Sequence, residues 1–278
     1  MTFTIKCRET VITFRQPAVM AVLNITPDSF YSASRATTAA DFLAAARRLA
    51  ADGADILDIG AASSRPGAAL IAPDEEQQRL LPMLKLLRGE MPDIPISVDT
   101  YNASTAEAAI ACGADIVNDI SGGMFDPDMF TTVARLQVPY VLMHTTAVPA
   151  AMQQSTMPDT PDLITQLAAY FSERLDKLYS LGVADVIIDP GFGFGKTLQQ
   201  NYFILNNLDS LCQLFREPLL VGVSRKSMIT KLLQCSPDEA LNGTTVLNTI
   251  ALGHGAAILR VHDPKQAKEA VRIVGAKL

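Results

Sequence analysis

The chain has 278 residues, of which 49% are hydrophobic and 19% charged, and its formal net charge at pH 7 is −6. This composition allows a large buried core and excludes an intrinsically disordered protein, and the negative charge argues against a nucleic-acid-binding surface. No apolar run approaches the roughly 20 residues that span a bilayer, and the N-terminus lacks a signal-peptide core, so we expect a cytoplasmic protein without membrane association. The four cysteines form no CxxC pair, which predicts reduced thiols and no zinc site.

The first 15 residues alternate between polar and apolar types, which predicts a β-hairpin over residues 3–8 and 11–15 at the base of the fold. Eight short apolar runs follow, and each ends in a polar or charged group. These runs cover residues 18–23, 55–57, 94–98, 116–117, 140–143, 186–188, 219–223 and 257–259. Helical patterns lie between them, over residues 37–51, 103–112 and 162–181 and from the prolines 73, 237 and 264 onward. The alternation predicts a (β/α)8 TIM barrel with an N-terminal β-hairpin, in one domain over residues 1–278.

Polar residues at the strand ends point to the place of the chemistry, because the active sites of this fold lie at the carboxyl ends of the strands. Five different strands end in Asp58, Asp99, Asn118, Asp189 and Lys226. We interpret Asp58 as a structural carboxylate held by hydrogen bonds. The remaining two carboxylates, amide and ammonium suit a flat heterocycle that has several donors and acceptors.

The last strand carries an anion-site pattern. Arg260 and His262 lie on the same side of the strand, and Asp263-Pro264 begins a helix whose free N–H groups are nearby. The alternative is that Arg260 only pairs with an aspartate of the rim. Arg65, in the loop after the second strand, is either a second anion ligand or a solvated loop arginine.

The glycine-rich segment 191–197 is not a P-loop, because Pro190 stands where the first glycine of that motif is required. We interpret it as a turn that lets the backbone approach a ligand, with Phe194 as a stacking surface. For His144, a structural histidine is favoured over a catalytic base, and the three histidines are too scattered for a zinc triad.

Motifs in the same segments, and in the same order, closely resemble those of the dihydropteroate synthases. They occupy residues 23–30, 58–67, 99–101, 118–123, 189–196, 224–227 and 260–263. The resemblance implies a transferase that joins 6-hydroxymethyl-7,8-dihydropterin diphosphate to 4-aminobenzoate, giving 7,8-dihydropteroate, a folate precursor, and diphosphate. It also implies a homodimer and a site that sulfonamides occupy in place of aminobenzoate.

The resemblance further assigns roles to individual residues. It places the pterin on Asp99, Asn118, Asp189 and Lys226, and the diphosphate on Arg65, Arg260 and His262. It assigns Mg²⁺, bound with the diphosphate, to Asn24. It places aminobenzoate among Ser64, Arg65, Pro66, Phe194, Lys226 and Ser227. Asp99, Lys226 and Arg65 would be catalytic, in a reaction that passes through a pterin cation.

Departures from the family pattern leave two alternatives open. Ala61-Ala62 replaces Gly-Glu, Ser64 replaces threonine, and residues 145–149 replace a segment that contains arginine. None of these changes removes a principal substrate group. A catalytically silent pterin-binding paralogue would be expected to lack some of the anion ligands, and a pterin-dependent methyltransferase would have no need of them.

Overall fold

The computed structural model describes residues 2–25, 35–61, 71–146, 156–157 and 162–276, apart from the side chains of residues 35–38. Eight parallel strands form one sheet in the order β8-β7-β6-β5-β4-β3-β10-β9. They are β3 (Ala18–Asn24), β4 (Ile56–Gly60), β5 (Ile96–Asp99), β6 (Ile116–Asp119), β7 (Tyr140–Met143), β8 (Val186–Asp189), β9 (Leu220–Val221) and β10 (Ile258–Val261). A parallel bridge between Ile188 and Leu219 joins the two outer strands, so the predicted TIM barrel is confirmed.

Helices connect the strands on the outside of the barrel. Those in the described ranges are α1 (Arg35–Ala51), α2 (Pro73–Glu90), α3 (Ala103–Ala111), α4 (Met129–Leu136), α5 (Leu163–Ser180), α6 (Leu198–Asn206), α7 (Leu208–Leu214), α8 (Ser227–Leu233), α9 (Leu241–Gly253) and α10 (Pro264–Val274). Proline opens α2 and α10 as predicted, since its fixed φ suits the first helical position. At the start predicted from proline 237, Ser236 forms a capping box with Glu239, but only a 3₁₀ turn follows it, and α9 starts at Leu241.

Most strands extend one or two residues beyond their predicted apolar runs. The polar residues Asn24, Asp99 and Asp189 are the last residues of β3, β5 and β8, not the residues after them. The seventh barrel strand is instead shorter than predicted, because only Leu220 and Val221 remain of the run 219–223. Four residues beyond this strand, Arg225 adopts a left-handed backbone conformation with a φ of +55°.

The N-terminal hairpin consists of β1 (Phe3–Cys7) and β2 (Thr10–Phe14), close to the predicted bounds. Ile5 and Cys7 belong to a buried cluster with the first residues of the barrel strands, among them Met20 and Leu220. The hairpin therefore closes the amino-terminal end of the barrel, and the carboxyl-terminal end is left for ligands.

The main core lies between the sheet and the helices. Leu80, Leu84 and Leu87 on one face of α2 are fully buried, which contributes roughly 2 kcal/mol for each side chain. Among the described helices, none is long and apolar enough to cross a membrane. The four cysteines are free thiols, as predicted.

Candidate active site

Four residues from neighbouring strands form a row at the carboxyl end of the barrel. The strand register pairs Asn24 with Gly60, Gly60 with Asp99, and Asp99 with Asn118. A side chain on Gly60 would come within 3.2 Å of Asn24 Oδ1 and 3.3 Å of Asp99 Cβ. Because Gly60 has none, a gap remains between the amide and the carboxylate.

Arg260 binds two carboxylates of this rim. Its Nε donates to Asp58 Oδ2 over 2.7 Å, and its Nη2 donates to Asp99 Oδ2 over 2.6 Å. Asp58 is completely buried and Asp99 is 9% exposed. The pairing that we considered as the alternative for Arg260 is therefore present, but Nη1 donates to no group in the described part of the chain. An anion ligand role for Arg260 stays a prediction.

Asp58 also holds Asn118. The Asn118 amide nitrogen lies 3.1 Å from Asp58 Oδ2 and 3.3 Å from Asp58 Oδ1. The structural role predicted for Asp58 is confirmed, and it orients two predicted ligand residues at once. Because Asn118 donates inward to Asp58, its amide carbonyl is the group that can accept a hydrogen bond from a ligand.

The glycine-rich turn brings backbone against the opposite side of the mouth. Gly191, Gly193 and Gly195 all have positive φ, as the predicted turn requires. A side chain on Gly191 would approach the His144 carbonyl oxygen to 1.9 Å, so glycine is required by space as well as by φ. The Gly191 N–H donates to Asp189 Oδ1 over 2.7 Å, which fixes one oxygen of that carboxylate and leaves the other for a ligand.

Lys226 reaches back from the start of α8 into the mouth. Its Nζ donates to the Phe192 carbonyl over 2.6 Å and lies 4.7 Å from the centre of the Phe194 ring. A side chain on Gly222 would lie within 4 Å of both Lys226 Nζ and Arg260 Cβ, so these two cationic residues share one space. Burial lowers the pKa of Lys226 to about 8, although Asp189 acts in the opposite direction.

The predicted anion ligand His262 lies one residue past β10. Its backbone N–H donates to Ser224 Oγ over 3.2 Å, and its Nδ1 is 3.0 Å from the same oxygen. The side chain is exposed, and Nε2 has no hydrogen-bond partner among the described residues. Ser227, predicted to contact aminobenzoate, is the exposed first residue of α8, next to Lys226.

Charged groups of both signs meet in the mouth. Burial raises the pKa of Asp99, with Arg260 opposing and Asp58 adding to the rise. Burial also raises the pKa of Asp189, and among the described residues the charges of Lys226, Arg260 and Lys196 oppose that rise. The carboxylate of Asp99 can therefore stabilise positive charge that develops on a ligand beside it.

His144 is a structural residue. It is 7% exposed, and its Nδ1 lies 2.9 Å from Lys196 Nζ. Burial lowers the pKa of His144 to about 2, with Lys196 acting in the same direction, so the ring is neutral. The favoured interpretation of His144 is confirmed.

Lys196 lies in the motif 189–196, but the resemblance assigned no role to it. Its ammonium also donates to the carbonyl groups of Gly191 and Phe194 over 2.9 and 3.1 Å, so it ties the glycine-rich turn to the end of β7. The sequence does contain a signal for this role, namely a lysine directly after three alternating glycines. A strongly curved glycine-rich turn directs several backbone carbonyl groups toward one point, and a lysine ammonium can donate to all of them.

Part of the predicted site lies outside the described residues. Ser64, Arg65 and Pro66 belong to this part, as do most of the first motif and the segment 147–155 of the loop after β7. Their predicted contacts with diphosphate and aminobenzoate stay predictions.

Asn24 is suited to bind a metal ion that a substrate also binds. It does not belong to a metal site made of protein ligands alone. Its exposed amide lies beside the gap over Gly60, and an amide oxygen is an acceptable magnesium ligand. No group of three or more His, Cys, Asp or Glu residues suited to a metal occurs in the described ranges. This is the donor set expected when Mg²⁺ keeps its waters and is held mainly by phosphate oxygens.

Comparison with known proteins identifies the family. The pattern of the family described as pterin binding enzyme matches residues 20–262. The dihydropteroate synthase of Synechocystis sp. is 41% identical over 261 residues, which cover 93% of this chain and 89% of that protein.

Solved structures agree with the sequence comparison. Yersinia pestis dihydropteroate synthase, crystallised with a sulfonamide drug complex, matches with a TM-score of 0.90 and 36% identity over 98% of each chain. The Xanthomonas albilineans enzyme in complex with 7,8-dihydropteroate matches with a TM-score of 0.84 and 33% identity over 98% of this chain and 97% of that one. The chain therefore belongs to the pterin-binding enzymes and, among them, to the dihydropteroate synthases, which are transferases of folate biosynthesis.

Proposed function

We propose that this chain condenses 6-hydroxymethyl-7,8-dihydropterin diphosphate with 4-aminobenzoate and releases diphosphate and 7,8-dihydropteroate. The observation that carries the proposal is the meeting of Asp99, Asn118, Asp189, Lys226 and Arg260 at one mouth, in a chain of this family. The Xanthomonas relative binds 7,8-dihydropteroate, the product that this reaction forms.

The pterin ring would lie between Asn118 and Lys226. Its cyclic guanidine edge presents parallel N–H donors, and the open oxygen of Asp189 and the carbonyl of Asn118 both accept. Lys226 supplies the complementary donor for the ring carbonyl. Phe194 offers an apolar face beside the ammonium, where we place the aromatic ring of aminobenzoate.

The reaction would proceed by departure of diphosphate before the amine attacks. Breaking the carbon–oxygen bond leaves positive charge on the pterin methylene carbon, and the ring delocalises it. Asp99 stabilises that cation, because a fixed charge in a buried site needs no reorganisation. The neutral amine of aminobenzoate then forms the new carbon–nitrogen bond and loses a proton to solvent.

The leaving diphosphate would be held by Arg260 and His262, and by Arg65 from the loop after β4. Asn24 would hold a Mg²⁺ that is bound with the diphosphate, and the metal would offset the negative charge of the leaving group. No general base of the protein is needed, which agrees with a neutral, buried His144.

A turnover assay tests the proposal. With both substrates and Mg²⁺, we expect release of one diphosphate for each dihydropteroate formed, and chelation of Mg²⁺ should lower the rate at least tenfold. A sulfonamide should compete with aminobenzoate and not with the pterin. Pterin binding without diphosphate release would contradict the proposal and favour the silent paralogue, while indifference of pterin binding to diphosphate would favour the methyltransferase.

We also propose that the chain forms a homodimer through the late helices. On α9, Val246 is exposed, Leu241 and Ile250 are half-buried and Leu247 is buried in the core. Leu232 and Leu233 on the adjacent α8 add exposed apolar surface. Sedimentation should give twice the chain mass, and Val246→Lys should shift it toward the monomer; a wild-type monomer at micromolar concentration would contradict this.

A further inference from the structure

The two strands that precede Lys226 and His262 are paired over a very short distance. The pairing of β9 with β10 comprises Leu220–Ile258 and Val221–Leu259, and it ends there on the side of the mouth. Lys226 lies five residues beyond the end of this pairing on one strand, and His262 three residues beyond it on the other. Backbone hydrogen bonds therefore do not fix the separation of these two residues.

Side chains connect the strands where the backbone pairing has ended. Arg225 donates to Asp263 through Nε over 3.0 Å and through Nη2 over 2.8 Å, in a bidentate pair. One step nearer the barrel, Ser224 Oγ accepts from the His262 backbone N–H. Arg225 directly precedes Lys226, and Asp263 directly follows His262.

The backbone conformation of Arg225 is held so that its side chain can reach Asp263. Its φ of +55° is a left-handed conformation that residues with a side chain rarely adopt. The Arg225 N–H donates to the hydroxyl of the buried Thr244 over 3.0 Å, and the Lys226 N–H donates to the Val223 carbonyl over 3.2 Å. The turn directs Lys226 back into the mouth while the Arg225 side chain reaches toward β10.

The side chain of Asp263, which follows β10, is likewise used for the contact with Arg225. It occupies the N-cap of α10, where aspartate usually accepts from the first N–H groups of the helix. Here the side chain makes no capping bond, and both of its oxygens accept from Arg225. The carboxylate thus connects two elements instead of stabilising its own helix.

We propose that Arg225 and Asp263 are positioning residues that set the separation between Lys226 and His262. This inference rests on the proposed function, in which Lys226 binds the pterin and His262 the diphosphate of the same substrate. One substrate then spans both residues, and its reacting bond lies between them. A displacement of about 1 Å can lower a rate about 100-fold, so this pair would control catalysis without touching substrate.

The test uses charge-removing variants and a matched control. Arg225→Gln and Asp263→Asn should each weaken binding of inorganic diphosphate in the presence of Mg²⁺ about tenfold, and should lower kcat/KM about 100-fold. The double variant should be no worse than Arg225→Gln alone, because that change already removes the contact with Asp263 as well as the one with the exposed Asp238. Reversing the pair, with Arg225→Asp and Asp263→Arg, should recover at least tenfold in kcat/KM, since aspartate tolerates a left-handed backbone.

Glu107→Gln is the control, because Glu107 and Arg135 form an exposed bidentate pair on α3 and α4, away from the mouth. It should leave binding and kinetics within twofold of the unaltered chain. Calorimetric melting separates the proposed role from a merely structural one: a structural pair would lower Tm and leave diphosphate binding by the folded protein unchanged. That result, or a double variant whose effect is the product of the two single effects, would overturn the proposal.

The outcomes also distinguish the two proposals. If the unaltered chain binds diphosphate but does not turn over, the proposed function fails, and the binding measurements on the variants still decide the role of the pair. If the unaltered chain turns over and the variants behave like the control, only the positioning role fails. If the unaltered chain binds no diphosphate, both are overturned.

Discussion

Lys226→Ala is expected to lower kcat/KM by about 10³-fold and to weaken pterin binding, which is near the upper range for loss of one buried charged donor. The ammonium contacts the Phe192 carbonyl, approaches the Phe194 ring and shares the space beside Gly222 with Arg260. Removing it takes away a ligand donor and leaves Asp189 without its nearest cation. Steady-state kinetics and equilibrium binding of a pterin measure the two effects separately.

Two further variants sharpen this experiment. Lys231 is exposed in the last turn of α8, so Lys231→Ala controls for loss of a lysine on the same helix. Lys226→Arg keeps the charge but replaces a compact ammonium by a planar fork, and an intermediate loss is expected. Near-normal kinetics of Lys226→Ala would show that the pterin binds elsewhere.

The pH dependence of kcat/KM should also report the loss of the Lys226 ammonium. Because burial lowers the pKa of Lys226 to about 8, its donating form is lost as the pH rises through that value. The kcat/KM of the unaltered chain should therefore decline above pH 8. The decline should be absent in Lys226→Arg, whose guanidinium remains charged.

The position of the site could be predicted from the sequence, because it follows from strand periodicity and one general rule of the fold. Short apolar runs that end in Asp99, Asn118 or Asp189 predict parallel strands, and parallel strands of a barrel present their carboxyl ends together. The hairpin at the opposite end follows in the same way from its alternating pattern.

The connections within the site could not be predicted. Arg260 lies 202 residues from Asp58 and 161 from Asp99 in sequence, and the choice among several rim carboxylates depends on register and rotamers. The seventh strand ends at Val221 and a left-handed turn follows at Arg225, a conformation that no sequence motif predicts for an arginine. Asp58 illustrates the limit: its structural role was predicted, and its two partners were not.

These connections change the interpretation of the rim as a whole. Arg260 serves the predicted pterin side through Asp58 and Asp99, and we propose that its remaining N–H groups bind the diphosphate. A single guanidinium would then contact both the carboxylate expected to stabilise the cation and the departing anion. The two charges that separate during the proposed reaction would be stabilised by residues in direct contact with each other.

Arg260→Ala is expected to have the second large effect, and it should act on stability as well as on affinity. The resemblance predicts weaker binding of the diphosphate substrate, whereas the structure adds that Asp58 and Asp99 lose the cation they share. Leaving buried charge without its partner costs about 3–5 kcal/mol, so the free energy of unfolding at neutral pH should fall by that order. Urea unfolding and calorimetric binding of diphosphate with Mg²⁺ measure the two effects.

The loss of stability in Arg260→Ala should depend on pH, because it depends on the ionisation of Asp99. Burial already raises the pKa of Asp99, and removing Arg260 raises it further, so in the variant the folded carboxyl binds a proton more tightly than the unfolded one. The resulting destabilisation is complete above the folded pKa and is relieved as the pH falls through it. The stability difference between Arg260→Ala and the unaltered chain should therefore shrink from pH 8 to pH 5.

Asp58→Asn in the Arg260→Ala background separates the two roles of the arginine. It removes the completely buried charge, so it should restore part of the lost stability, but it supplies no cation and should leave diphosphate binding weak. Arg135→Ala, at the exposed pair with Glu107, should cost less than about 1 kcal/mol and serves as the control. Unchanged diphosphate affinity in Arg260→Ala would place the anion site elsewhere, and unchanged stability would show that Asp58 and Asp99 do not depend on this arginine.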